Sequence, residues 1–305
     1  MTFAVTILGS NSALPILTRN SSAQILNHYN SLYLIDCGEG TQIQFLKYKI
    51  KFNRINHIFI SHLHGDHFFG LIGLLSTYHL MDRKDRLNIY ANPEIEELIN
   101  FQLKVAKTEL RYPLIFHPIN SEKSEMILDD DKITVKTIPL DHKIPTSGFV
   151  FIEKQRDRNI KKEFLAIEKV PIHKFKSIKA GDDYINSDGK IYKNKDITLA
   201  PPKPRSYAYC SDTKYYEKII PHIKNVDLLY HEATFMKDKE RNAIEKFHST
   251  TVDAANIAKK ANVKKLIVGH YSARYKKLEP LLDEVKEIFK NSFLAEDGLT
   301  FNVDK

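Results

Sequence analysis

Apolar residues recur along this chain in two kinds of stretch, and the two kinds alternate from one end to the other. Short apolar or alternating runs, such as SLYLID at 31–36 and DKITVKTIP at 131–139, are typical of β-strands. Longer stretches, such as the apolar segment 68–81 and the Ala-rich segment 250–260, are typical of helices. Strands that alternate with helices favour a layered α/β domain.

The boundaries of the predicted elements follow from where each pattern starts and stops. Strands are predicted at residues 2–9, 31–36, 55–61, 87–91, 131–139, 148–153, 205–210, 227–231 and 265–269. Helices are predicted at residues 41–49, 68–81, 93–107, 250–260 and 278–289. Residues 62–67 are predicted to form a loop between a buried strand and an apolar helix.

A charged segment at about 154–200 interrupts this alternation. It contains few long apolar runs and includes Gly181 and Gly189, so we interpret it as an arm inserted into one domain that spans residues 1–305. The chain has a net charge of +8, and residues 154–179 carry nine basic and three acidic side chains, a surplus of six. Lysine and arginine attract phosphates irrespective of sequence. The alternative is a solvated insertion that binds nothing.

Composition narrows the class of protein further. The 305 residues suffice for one large domain, and 42% apolar with 28% charged residues is an ordinary globular balance. The first residues read as a strand rather than a signal peptide, and no apolar run approaches the roughly 20 residues that span a membrane. The two cysteines, Cys37 and Cys210, are interpreted as small core residues, which favours a reducing cytoplasm and excludes a disulfide scaffold.

The segment Ser61-His62-Leu63-His64-Gly65-Asp66-His67 carries the strongest chemical signal. Its four potential ligands lie within six residues, directly after a buried strand and before a helix. Imidazole nitrogen and carboxylate oxygen suit borderline metals such as zinc. In an irregular loop, His62 and His64 can turn toward one cation while Asp66 and His67 turn toward another. The pattern therefore predicts a metal centre rather than a group of solvent-facing histidines.

One loop cannot complete two metal sites, and three further candidates follow later strands. His142 comes after the strand that ends at Pro139, Asp212 after the strand that ends at Cys210, and His270 after the strand that ends at Gly269. Sites on α/β folds commonly gather at the carboxyl ends of strands. Each residue alone reads equally well as a turn residue. Asp141 is either a partner that orients the His142 imidazole or a turn aspartate.

Together these residues resemble the metallo-β-lactamase superfamily, which has H-x-H-x-D-H followed by a His, an Asp and a His after later strands. The resemblance covers nearly the whole chain except the arm. It implies a four-layer αβ/βα sandwich with a basic flexible arm and two zinc ions per subunit. It assigns His62, His64 and His142 to one ion, Asp66, His67 and His270 to the other, and Asp212 to both. It also places Asp36 and Glu39 in a supporting loop.

Three local features resemble the ribonuclease Z family within that superfamily. Residues 9–22 are similar to its N-terminal loop, Pro-x-Lys-x-Arg-Asn, with Pro15, Arg19 and Asn20 in place but Leu17 at the Lys position. His231-Glu232-Ala233-Thr234-Phe235 matches a family motif, and His248 resembles the family histidine near the scissile phosphate. The alternative for His248 is a residue that only precedes a helix cap at Ser249 or Thr250. The third feature is the basic arm, although the Gly-Pro element of many family arms is missing.

The resemblance implies a zinc-dependent endoribonuclease that removes 3′ trailers from tRNA precursors by metal-hydroxide attack on the phosphodiester after the discriminator nucleotide. Asp66 and His248 are its implied catalytic residues, and a cytoplasmic homodimer is implied in which the arm of one subunit serves the other. The candidate RNA-binding residues are Arg19, Lys154, Arg156, Arg158, Lys161, Lys162, Lys174, Lys176 and Lys179.

Two other hypotheses stay open. A small-molecule metallohydrolase of the lactonase or thioesterase type would use the same metal ligands, and its activity would not depend on the arm. A non-catalytic RNA-binding protein has no need of an activated water, so the seven intact ligand candidates argue against it.

Overall fold

The computed structural model describes residues 2–14 and 16–304, and the chain divides into two units. The smaller unit is Glu153–Pro204, and the larger contains the described residues on either side of it. Among these described residues, no helix is both long enough and apolar enough to cross a membrane.

The larger unit contains two mixed sheets of seven strands each. The first sheet consists, in spatial order, of Thr300–Asn302, Phe3–Gly9, Ala23–His28, Ser31–Cys37, Ile55–Phe59, Leu87–Ala91 and Leu114–Pro118. The first four strands in this order pair with one another in antiparallel fashion. The three pairs from Ser31–Cys37 to Leu114–Pro118 are parallel.

The second sheet includes the strands that follow in sequence. Its spatial order is Ser292–Leu294, Leu266–Gly269, Leu228–Glu232, Ser206–Cys210, Ser147–Glu153, Ile133–Pro139 and Met126–Asp129. The four strands from Ser292–Leu294 to Ser206–Cys210 are parallel, so their carboxyl ends meet at one edge of this sheet.

Helices cover the outer faces of the two sheets. The α-helices of this unit are Thr41–Lys47, Gly65–Phe68, Leu71–Leu80, Glu94–Val105, Ile220–Ile223, Glu240–Lys246, Thr251–Lys260 and Glu279–Ile288. Short 3-10 turns occur at Phe52–Arg54, Glu217–Ile219 and Lys237–Lys239.

Three apolar clusters hold these layers together. One packs Leu71, Leu74 and Leu75 against the first sheet, and a second packs Ala254 and Ala258 against the other sheet. The third lies between the sheets and is dominated by aromatic side chains of both. Burial of these faces is the main term that stabilises such a layered arrangement. The predicted four-layer αβ/βα fold is therefore confirmed.

Most element predictions are close to the observed bounds, but the loop prediction for 62–67 was wrong in part. A short helix, Gly65–Phe68, begins inside it, and the helix predicted from residue 68 begins at Leu71. Five strands of the larger unit were not predicted, among them Ala23–His28 and Leu114–Pro118. Both strands are stabilised by pairing with neighbouring strands, a contribution that the local sequence pattern does not show.

The smaller unit has its own elements and a small core. It contains the α-helices Lys162–Ile167, Phe175–Ala180 and Asn194–Ile197, the 3-10 turn Ile172–Lys174, and the short strands Asn159–Ile160, Tyr184–Ile185, Ile191–Tyr192 and Thr198–Leu199. Ile178, Tyr184 and Ile197 are buried together, with Phe164 and Tyr192 packed against them. The charged segment is therefore an ordered unit rather than a structureless insertion.

Candidate metal centre and active site

The loop after strand Ile55–Phe59 brings four of the predicted ligands to one place. His62 and His67 are fully buried, while His64 and Asp66 are partly buried. Gly65 between them lies against the ring of Phe69, which a Cβ at residue 65 would approach to 2.2 Å. A side chain at this position would therefore displace the Phe69 ring, which is largely exposed.

The other three ligand candidates reach the same place from the second sheet. His142, Asp212 and His270 each follow a strand of that sheet. Asp212 and His270 adopt left-handed backbone angles, with φ of 57° and 59°. Non-glycine residues rarely adopt such angles, and when they do they concentrate at functional sites. The chain thus turns sharply at both residues and directs their side chains into the cleft between the sheets.

One group of ligand atoms contains three imidazoles and a carboxylate. His64 Nδ1 lies 3.0 Å from His62 Nε2 and 3.2 Å from His142 Nε2. Oδ2 of Asp212 lies 3.5 Å from His62 Nε2 and 3.7 Å from His142 Nε2. The four donor atoms lie within 4.8 Å of one another. This is the spacing that a single four-coordinate cation needs.

A second group shares Asp212 through its other oxygen. Oδ1 of Asp212 lies 3.2 Å from both His67 Nε2 and His270 Nε2, and those two nitrogens are 3.3 Å apart. Oδ2 of Asp66 is 3.5 Å from His67 Nε2 and 3.4 Å from His270 Nε2. Asp212 therefore faces both groups, one with each carboxylate oxygen.

The donor set fits two divalent cations. Burial lowers the pKa of His62, His64 and His142, so these imidazoles are neutral and their lone pairs are available to a metal. At His67 burial acts in the same direction, but the carboxylates of Asp212, Asp66 and Asp36 outweigh it and raise the pKa well above its ordinary value. Without a metal, a proton on His67 thus offsets the negative charge of these carboxylates. A bound cation would offset that charge in place of the proton.

Four contacts fix the rings of the ligand histidines from behind. His67 Nδ1 lies 2.7 Å from Asp36 Oδ2, and His142 Nδ1 lies 2.8 Å from the Phe247 carbonyl. His62 Nδ1 lies 3.0 Å from the Ser61 hydroxyl, and His270 Nδ1 lies 3.0 Å from the Thr234 hydroxyl. Such partners determine which ring nitrogen faces the metal. Asp36 was predicted to lie near the site, whereas the roles of Ser61 and Thr234 were not predicted, because no ligand motif distinguishes these two residues.

His248 lies beside this centre and is held by Glu232. Its Nδ1 is 2.9 Å from Glu232 Oε1, and it belongs to a group of possible ligands with Asp212 and His270. Burial acts to lower the pKa of His248, but the Glu232 carboxylate outweighs it and raises the pKa to about 9. Thr250 forms a capping box with Asp253 at the start of helix Thr251–Lys260. Of the two predicted caps, Ser249 and Thr250, the second is therefore confirmed. Glu232, at the end of its own strand, was quoted in the sequence motif but given no role.

The surroundings of Arg19 and Asp141 bear on the roles predicted for them. Arg19 was predicted to contact RNA, but it is 6% exposed, and its guanidinium donates to Asn11 Oδ1 and to the Tyr275 carbonyl. The loop that contains Arg19 therefore lies against the segment around Tyr275. The Asp141 carboxylate pairs with Lys214 Nζ at 3.1 Å, and the Nδ1 contact of His142 goes to Phe247 instead. Pro15 of the same loop lies outside the described residues.

The predicted RNA-binding residues of the arm lie in the smaller unit. Lys162, Lys174 and Lys176 are exposed, whereas Lys154, Arg156, Arg158, Lys161 and Lys179 are partly buried. Arg158 donates to Thr198 Oγ1, and Lys161 donates to the Asp196 carbonyl. The arm thus contains both cations that hold its own fold and cations that face solvent.

The chain is similar to known proteins in both sequence and fold. The family model described as Anti-Pycsar protein Apyc1 matches residues 3–159, about half of the chain. Ribonuclease Z of Phocaeicola vulgatus is 45% identical over 302 residues, which cover 99% of this chain and 98% of that protein. The crystal structure of human tRNase Z, short form, superposes with a TM-score of 0.73 at 29% identity, over 99% of this chain and 100% of that one.

A second solved structure shows the fold alone. The metallo-β-lactamase fold protein YhfI of Bacillus subtilis has a TM-score of 0.69 at 18% identity, over 99% of this chain and 100% of that one. The two sheets, their helices and the cleft of histidines and aspartates define a protein of the metallo-β-lactamase fold with a candidate metal centre.

Within that class the sequence relatives are decisive, because they match along the full chain. The protein belongs to the ribonuclease Z family of metal-dependent endoribonucleases, and its first half also belongs to the sequence family described by the Apyc1 model.

Proposed function

We propose that this chain is the endoribonuclease that removes 3′ trailers from tRNA precursors, with two zinc ions in its active site. The single observation that carries this proposal is the pair of ligand groups that share Asp212, in a chain similar along its length to ribonuclease Z proteins. The small-molecule alternative is not favoured, because the ribonuclease Z relatives cover 99% of the chain and include the basic segment.

The proposed ligand assignment follows the two groups of atoms. His62, His64 and His142 hold one ion, Asp66, His67 and His270 hold the other, and Asp212 contacts both. When bound, the ions would supply positive charge to the scissile phosphate and make a water molecule acidic enough to act as a nucleophile.

The surrounding side chains orient the reacting groups. Asp66 Oδ2 accepts a hydrogen bond of 2.7 Å from the backbone N–H of Ala13, so the N-terminal loop holds the carboxylate that is proposed to accept a proton. His248 is held at Nδ1 by Glu232 and has Nε2 available to donate a proton to the leaving oxygen of the upstream nucleotide. Glu232 is itself fixed by the Thr213 N–H and the Thr234 hydroxyl.

The smaller unit is proposed to bind the tRNA part of the substrate. Its exposed lysines, with Lys162, Lys174 and Lys176 among them, would contact phosphates without reading sequence. The larger unit would then cleave, and the smaller unit would select a folded RNA over a small ester. We treat residues 154–200 as this arm.

A homodimer is proposed on the basis of apolar surface near the site. Leu80, Phe101 and Val105 are each more than half exposed, on helices that cover the first sheet, and Phe69 is as exposed between two of those helices. A groove of about 690 Å³ beside Phe101 is also lined by Leu63, which lies between two ligand histidines. Because large exposed apolar patches often mark protein interfaces, we propose that this surface meets a second copy of the chain. A change of Phe101→Glu is expected to give monomers in light scattering, whereas Ile244→Glu, equally exposed on another helix, is not.

A cytoplasmic location is proposed because both cysteines are buried free thiols and the substrate is an intracellular RNA. The protein would therefore meet its substrate in a reducing environment.

One cleavage experiment tests the main proposal. The zinc-loaded chain is incubated with a tRNA precursor that carries a 3′ trailer, and the ends of the products are mapped. A single cut after the discriminator nucleotide, leaving a 3′-hydroxyl on the tRNA and a 5′-phosphate on the trailer, is expected. An enzyme that hydrolyses esters or lactones but leaves the precursor uncut would exclude the ribonuclease function and keep the metal centre.

A further inference from the structure

A buried hydroxyl connects the two sheets of the larger unit beside the metal centre. Tyr209 lies in strand Ser206–Cys210 of the second sheet and is 1% exposed. Its hydroxyl donates a hydrogen bond of 2.6 Å to Oδ2 of Asp36, the last residue but one of the strand Ser31–Cys37 in the first sheet. This contact joins one sheet to the other three residues before Asp212.

The Asp36 carboxylate accepts several hydrogen bonds and also contacts a candidate metal ligand. The carboxylate is fully buried and accepts from the Ser61 N–H at 2.7 Å and the Ser61 hydroxyl at 2.9 Å. Its Oδ2 also lies 2.7 Å from His67 Nδ1. Because His67 is fixed at Nδ1, its Nε2 is directed at Asp212 and His270. The position of the Asp36 carboxylate therefore sets the orientation of one ligand ring.

We propose that Tyr209 is a positioning residue for the ion held by Asp66, His67 and His270: its hydroxyl holds the Asp36 carboxylate where that carboxylate orients the His67 ring. This inference rests on the two-ion site of the proposed function but not on its RNA substrate. Burial, followed by the Asp36 carboxylate, raises the pKa of Tyr209 well above its ordinary value, so the hydroxyl stays protonated and remains a donor.

Tyr207 offers a matched control in the same strand. It lies two residues before Tyr209 and therefore on the same face, it is fully buried, and its hydroxyl donates to Oε1 of Gln24 in the first sheet. Both tyrosines thus connect the sheets through one hydroxyl. Only Tyr209 does so through a residue that contacts a candidate metal ligand.

The test measures zinc binding by the full-length chain. Metal-free wild type, Tyr209→Phe and Tyr207→Phe are titrated with zinc against a chelating dye, which resolves the two binding steps. Tyr209→Phe is expected to weaken one step by about tenfold, the lower end of the range for partners that orient metal ligands. The other step, and both steps of Tyr207→Phe, should keep wild-type affinity. The cobalt absorption spectrum of Tyr209→Phe should differ from that of wild type at the weakened site.

Melting of the metal-free proteins separates positioning from structure. Both variants lose one buried hydrogen bond, so similar decreases in melting temperature are expected. Equal zinc affinities in the two variants would overturn the proposal, whatever their stability. If Tyr209→Phe does not fold, Asp36→Asn is measured instead, and it should weaken the same step more strongly; unchanged affinity in that variant would also overturn it. Tight zinc binding without tRNA cleavage would count against the proposed function alone.

Discussion

The two units of this protein use polar side chains in opposite ways. In the larger unit, His62, His67, Asp212 and His270 are almost fully buried, and each is held by neighbours at defined distances. In the smaller unit, charged side chains lie mostly at the surface around a core of three buried residues.

The difference follows from what each task requires. Coordination and bond cleavage depend on atoms placed to within a fraction of an ångström, which only a packed interior provides. Attraction of a polyanion depends on the number of positive charges near it, and it tolerates mobile side chains. Loss of a candidate metal ligand in the larger unit should therefore affect every substrate, and loss of exposed lysines in the smaller unit should affect only tRNA.

The largest effect is expected where the two ligand groups meet. Asp212→Ala removes the carboxylate that faces both groups, so hydrolysis of tRNA precursors and of bis(p-nitrophenyl) phosphate should fall by about 1000-fold or more, beyond the range for outer partners. Asp141→Ala, near the site but paired with Lys214, serves as the control and should stay within about threefold. Steady-state rates with both substrates measure the loss of activity. An active Asp212→Ala enzyme would show that hydrolysis does not require a carboxylate shared by the two ligand groups.

A smaller and more selective effect is expected at His248. General acids contribute about 100-fold or more when the leaving group is a poor one. His248→Ala should therefore lower the rate of tRNA cleavage by about 100-fold and the rate with bis(p-nitrophenyl) phosphate far less, because p-nitrophenolate leaves without a proton. Parallel measurements on the two substrates give the ratio. Equal losses on both would show that His248 supports the metal centre rather than the leaving group.

The smaller unit is tested by its exposed lysines. The combined change of Lys162, Lys174 and Lys176 to Ala should raise KM for a tRNA precursor by about tenfold and make its salt dependence shallower, because about three phosphate contacts are lost. The rate with the small phosphodiester should not change. Three exposed lysines of the larger unit, Lys224, Lys286 and Lys290, provide the matched control. If both triple variants behave alike, net charge rather than the smaller unit attracts the RNA.

The smallest effect concerns Arg19, where prediction and structure differ. Arg19→Ala removes two hydrogen bonds of a nearly buried guanidinium, so the free energy of unfolding should fall by about 2 kcal/mol. KM for the tRNA precursor should stay near the wild-type value at a temperature where the variant is folded. Urea unfolding and steady-state kinetics measure the two quantities. Unchanged stability together with a raised KM would instead support the predicted contact between Arg19 and RNA.

Much of the candidate site could be read from the sequence because its ligands follow strands. His62, His64, Asp66 and His67 lie in one short segment, and three more candidates follow later strands. The contacts behind these ligands could not be read in this way. Thr234, Ser61 and Tyr209 are ordinary residues in the sequence, and their roles arise only from the side chains that packing brings to them.

The fold shows the same division. Leu87–Ala91 was predicted with its observed bounds, and the other predicted strands begin and end within two residues of the observed ones. Ala23–His28 was missed although it pairs on both sides, because its sequence AQILNH lacks a clear alternation. Sheet pairing and not local propensity determines such a strand.

The sequence by itself determined the layered class of fold, the metal-ligand types and the charge of the inserted segment, since these depend on residue type and local spacing. Only the tertiary structure decided that Asp212 faces both ligand groups, that Arg19 is buried, and that Tyr209 reaches Asp36 from the opposite sheet. Those features join residues far apart in the chain, and their distances exist only after the two sheets have packed against each other.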